Sequence, residues 1–174
     1  ERIPATVYLA LVSIAIAMLA ADGTTVSANW VTGLNAPKGL RAHDGTLWTA
    51  DLDEVVGIEI ATGRVSSRVK IDGAQFHSAV AVAADGTVYV SDFLANRIYA
   101  VKNGAATTFA EGDQLEYPNG LLVEGNRLIV GAWGKPEADF TTKVPGRLYA
   151  LDLGTKQKTL ITPQPFGNID GLES

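Results

Sequence analysis

The chain has 174 residues, 47% of them hydrophobic, with 14 basic against 19 acidic residues and a formal net charge of −5. Lys and Arg stand singly, so no basic stripe faces nucleic acid or anionic lipid, and neither partner is expected. The absence of cysteine excludes disulfides, thiolate metal sites and a Cys nucleophile.

Residues 3–21 are almost wholly apolar and rich in Ala, Leu and Ile, with Pro4 where a helix tolerates it. The expectation over 1–21 is a signal peptide or N-terminal hydrophobic helix, without a partner in the β-rich remainder. The run barely reaches the ~20 residues of a membrane span, and no basic cluster follows it. A cleaved signal, a secreted or periplasmic location and no stable membrane span are the expectation that follows.

From Thr24 to Thr32 the residues alternate as in a strand, and Gly33-Leu34-Asn35-Ala36-Pro37 reads as a loop. A repeat then begins. Asp44-Gly45-Thr46-Leu47-Trp48-Thr49-Ala50-Asp51 returns 41 residues later as Asp85-Gly86-Thr87-Val88-Tyr89-Val90-Ser91-Asp92. A looser copy follows at Gly125-Asn126-Arg127-Leu128-Ile129-Val130-Gly131-Ala132. Each copy sets a tight turn before a short run of β-branched, aromatic and small residues.

Four strands per repeat are expected. The first repeat holds residues 39–43, 46–51, 55–61 and 65–71; the second 79–83, 87–92, 97–102 and 107–110; the third 120–124, 127–132, 147–153 and 157–162. Residues 134–145 are an insertion in the third. Trp48 and Tyr89 share one repeat position and are expected in the core between blades. Asp51 and Asp92 end equivalent strands and are expected to bind nearby backbone N–H groups.

Recurrence at about 40 residues, with no helical period after Asp22, predicts an all-β fold: a β-propeller built of four-stranded antiparallel blades. A β-sandwich need not repeat one turn at one phase. Residues 22–174 are then a partial propeller of about three blades plus the start of a fourth, since propellers close with about four to eight.

Aligning the repeats brings Pro37-Lys38-Gly39-Leu40, His77-Ser78-Ala79-Val80, Pro118-Asn119-Gly120-Leu121 and Ile169-Asp170-Gly171-Leu172 into register. Their second residues are spaced by 40, 41 and 51. In a propeller this segment meets the central channel, so Lys38, Ser78, Asn119 and Asp170 are expected to converge. An amide oxygen and a carboxylate in one polar cavity suit a hard cation such as Ca²⁺.

At these motifs the chain resembles the gluconolactonase and senescence-marker-protein (regucalcin) family of six-bladed propellers. Pro118-Asn119-Gly120-Leu121 is similar to one of that family's Asn motifs, and Asp170-Gly171-Leu172 to its Asp motif. The resemblance implies a divalent cation held by Asn119, Asp170 and Ser78. It also implies Asp170 as the acid/base residue in hydrolysis of a small-molecule lactone or ester. Two positions depart: Ser78-Ala79 stands where the family has Asn-Asp, and no Glu stands near Pro37. A non-catalytic propeller binding a ligand or protein on its top face is the alternative, with the insertion, Trp133 and Phe140 shaping the surface.

Overall fold

The computed structural model describes residues 7–12 and 15–173. Strands β1 (Val7–Val12), β2 (Ala15–Ala20) and β3 (Thr25–Val31) form an antiparallel sheet in that order. The helix expected within 1–21 is therefore corrected to two strands with partners. A short Ala/Ile/Leu run has no period that separates helix from buried strand, and tertiary pairing decides. β2 pairs with β1 on one side and β3 on the other. Ile16 is fully buried against Val31, Leu34, Leu47, Val56 and Ile58.

The turn from β2 to β3 carries Asp22-Gly23, 40 residues before Thr62-Gly63. β1, β2 and β3 thus correspond to the second, third and fourth strands of the later repeats. The innermost strand of this sheet is not among the described residues.

Three four-stranded sheets follow. The first holds β4 (Pro37–His43), β5 (Thr46–Asp51), β6 (Glu54–Glu59) and β7 (Val65–Lys70). The second holds β8 (His77–Val82), β9 (Val88–Asp92), β10 (Arg97–Lys102) and β11 (Ala105–Glu111). The third holds β12 (Pro118–Glu124), β13 (Arg127–Ala132), β14 (Leu148–Asp152) and β15 (Lys158–Leu160). Each is antiparallel with strands in sequence order. The chain is an all-β propeller, with one more sheet than the repeats from Gly39 onward announce.

Three separate cores lie between successive sheets rather than within one sandwich. Ile16 and Val31 meet Leu47, Val56 and Ile58; Ala50, Val55 and Val69 meet Val80, Val88 and Val90; Tyr89 and Ile98 meet Leu121, Leu128 and Tyr149. Trp48 and Tyr89 both lie in this packing, as their shared repeat position predicts. Each buried aliphatic side chain contributes about 1.5–3 kcal/mol, so a blade is stable only with its neighbour in place. Among the described residues, no helix is long and apolar enough to cross a membrane.

His77 is buried at the base of β8, its ring edge-to-face with Tyr99. Burial holds its pKa below the ordinary 6.5, partly offset by the carboxylates of Asp92 and Asp53. Below about pH 6.5 the unfolded chain takes up a proton that the native imidazole refuses. Stability should therefore fall as pH drops below that value, and level off once the native ring also titrates. Urea denaturation from pH 8 to 5 should show this slope in the wild type and a flatter one in His77→Phe.

Candidate functional site

Each first strand of a four-stranded sheet begins with a bulge. The register against the second strand slips between Lys38 and Leu40, between His77 and Val80, and between Pro118 and Gly120. An extra residue there turns side chains at the start of the strand away from the ordinary pleat. Gly39, with φ 59°, lets β4 approach β8 so closely that a Cβ would stand 3.0 Å from the Ala79 Cα.

Two hydroxyls hold these bulges. The Thr49 hydroxyl donates to the Gly39 carbonyl at 2.9 Å. Ser91, fully buried where the preceding repeat has Ala50, accepts from the Ala79 N–H at 3.0 Å and donates to the Asn119 carbonyl at 2.6 Å. Its hydroxyl thus fixes Asn119 against the neighbouring blade.

The buried carboxylates at the ends of β5 and β9 hold the preceding loops. Asp51 accepts from the N–H groups of Asn35 at 2.8 Å and Ala36 at 2.6 Å. Asp92 accepts from Gln75 at 2.7 Å, Phe76 at 2.9 Å and Ala95 at 3.1 Å. Their expected role is met: both carboxylates serve backbone.

The four register positions meet. Lys38, Ser78, Asn119 and Asp170 line one cavity of about 380 Å³ together with Gly39, Phe76, Phe93, Trp133 and Phe140. Asn119 is 8% exposed. The Ser78 hydroxyl oxygen is buried without a hydrogen-bond partner. Asp170 sits on the exposed segment 168–173, which runs along β12; a Cβ on Gly120 would fall 2.3 Å from the Asp170 carbonyl oxygen. The Lys38 ammonium lies 4.5 Å from the Phe76 ring centroid and 3.4 Å from the Ala36 carbonyl oxygen. Among the described residues it makes no ion pair with Asp170.

Of the aromatic wall, Trp133 and Phe140 were expected from sequence to shape the surface, whereas Phe76 and Phe93 were not singled out. Phe93 is its centre, edge-to-face with Phe76 and Trp133 at 6.2 and 5.9 Å and stacked with Phe140 at 6.3 Å. Phe93 and Trp133 occupy one repeat position, immediately after the second strand, and Phe76 and Tyr117 another, immediately before the first. That recurrence was available as a signal. Phe140 comes from the insertion, where Trp133 Nε1 donates to its carbonyl at 3.4 Å and Asn168 Nδ2 donates to the Trp133 carbonyl at 2.5 Å.

The divalent-cation set expected from sequence can be weighed against these donors. They are one carboxylate, one amide oxygen and one hydroxyl, with Lys38 lining the same cavity. Among the described residues no three His, Asp or Glu side chains stand together as a metal cluster. Calcium takes about six to eight oxygens, commonly with several carboxylates. The set fits a dication poorly.

No family model and no curated protein sequence matches the chain. Solved structures with a similar fold are propellers. A catalytically inactive virginiamycin B lyase from Staphylococcus aureus with quinupristin superposes with a TM-score of 0.69 at 13% identity, covering 91% of this chain and 52% of that one. A nidogen/laminin complex gives 0.72 at 13% identity, covering 95% and 64%. The computationally designed Ika8 protein gives 0.64 at 14% identity, covering 99% and 51%. At these identities the likeness is one of fold. The chain spans about half to two-thirds of the length of these neighbours.

Proposed function

We propose that the protein binds a compact, ring-bearing organic molecule in the mouth of its hub, and that it is a binding propeller rather than a hydrolase. One observation carries this reading: four polar residues from successive repeats share a cavity of about 380 Å³ with four aromatic side chains. A mostly apolar concavity with a few convergent polar groups is the usual form of a small-molecule site, and its size falls in the ordinary range of about 300–1,000 Å³. The aromatic faces supply contact area at low entropic cost, while Asn119 and Ser78 supply orientation.

Hydrolysis of a sugar lactone or related ester, with Asp170 as acid/base and a divalent cation at Asn119, Asp170 and Ser78, is the second reading. The convergence of those three residues on one cavity favours it; the single carboxylate and the nearby ammonium weigh against it.

Both readings are tested on the full-length protein. Calorimetry with indole and phenol derivatives should give saturable binding, weakened at least tenfold by Phe93→Leu. δ-Gluconolactone should hydrolyse no faster with protein and Ca²⁺ than with protein and EDTA. A calcium-dependent rate that Asp170→Asn abolishes would replace the first reading by the second.

A further inference from the structure

The hub pairs opposite charges across itself, and it does so at only one of two levels. Arg41, on β4, reaches the terminal segment: its Nη1 lies 2.7 Å from a Glu173 carboxylate oxygen, and its Nη2 donates to the Leu172 carbonyl at 3.1 Å. Three residues earlier on the same two segments stand Lys38 and Asp170. They carry the same pair of charges and line the cavity, yet form no ion pair with each other among the described residues. The cavity lining thus carries one cationic and one anionic side chain that are not paired with each other, with Phe76, Phe93, Trp133 and Phe140 among the walls.

From this geometry we infer that the ligand is a zwitterion with an aromatic or bulky apolar body, of the chemical class of an aromatic α-amino acid. The inference rests on the binding function proposed above and names its ligand class. A simple anion would gain from Lys38 and be repelled by Asp170; a simple cation would suffer the reverse. A ligand bearing both charges satisfies each side chain and takes the place that a direct ion pair takes one level away. Its carboxylate meets Lys38 and can accept from the Ser78 hydroxyl, which is buried and has no partner. Its ammonium meets Asp170, and its ring enters the cluster around Phe93. Charge-assisted hydrogen bonds at both ends orient it, and the apolar walls strengthen them by excluding water.

The test is calorimetric titration of the full-length protein with three indoles of similar size: L-tryptophan, tryptamine, which lacks the carboxylate, and indole-3-propionate, which lacks the ammonium. L-Tryptophan should bind at least tenfold more tightly than either. Lys38→Gln should erase its advantage over tryptamine, and Asp170→Asn its advantage over indole-3-propionate. Both substitutions are conservative in size, and the wild-type comparison does not depend on them. Equal affinity for all three indoles, or a preference for a singly charged one, overturns the zwitterion inference while leaving a ring-binding cavity. Binding of none of them overturns both.

Discussion

Asp92→Ala should be among the most destabilising single substitutions in the chain, at about 3–5 kcal/mol. The carboxylate is fully buried and accepts from three backbone N–H groups, those of Gln75, Phe76 and Ala95. Hydrogen bonds to a charged acceptor contribute about 1.5–3 kcal/mol each. Truncation also leaves the three donors without their acceptor. Asp92→Asn keeps the volume but turns a donor toward donors, and should fall between wild type and Ala. Urea denaturation of the three proteins measures the series; for a domain this size each kcal/mol corresponds to about 2–4 °C in Tm. A loss below ~1 kcal/mol for Asp92→Ala would mean that the loop 71–76 holds itself.

The same residue shows what was legible in the sequence. Asp51 and Asp92 recur at one phase, and short polar side chains at strand ends usually serve nearby backbone, so their role could be read before any coordinates. The register of Lys38, Ser78, Asn119 and Asp170 was legible for the same reason, because a repeat maps equal positions to equal places around an axis. What was not legible is how the third repeat, with Ala132 at the Asp position, manages without that carboxylate. There the Tyr117 N–H donates to the Asn96 side chain at 2.9 Å, and the Trp133 N–H donates to the Tyr117 carbonyl at 2.9 Å. Asn96 lies in the loop between β9 and β10, and nothing in local spacing points to it. The orientation of Lys38 was equally hidden: a flexible ammonium goes where packing and neighbouring charges place it, here over Phe76.

The helix expected in the apolar run before Asp22 was wrong because composition and periodicity weigh a segment alone, whereas a buried strand is defined by its partners. Only the Asp22-Gly23 turn, one repeat before Thr62-Gly63, gave it away.

Ile16→Ala should therefore cost about 2–5 kcal/mol, the range for removing a fully buried aliphatic side chain whose surroundings cannot collapse. Ile16 is 0% exposed and packs on Leu47, Val56 and Ile58 of the next sheet as well as Val31 and Leu34, so the void would lie between two blades. Met18→Ala, on the half-buried part of the same strand, should cost clearly less. A cleaved signal peptide makes the opposite forecast, because neither substitution would then be present in the folded protein and both would leave its stability unchanged. Equilibrium denaturation of the two variants, with intact-mass measurement of each purified protein, separates the two. We expect residues 15–20 to be retained and the Ile16 variant to be markedly weaker; a mature chain starting after Ala21 with wild-type stability would return this segment to the role of a leader.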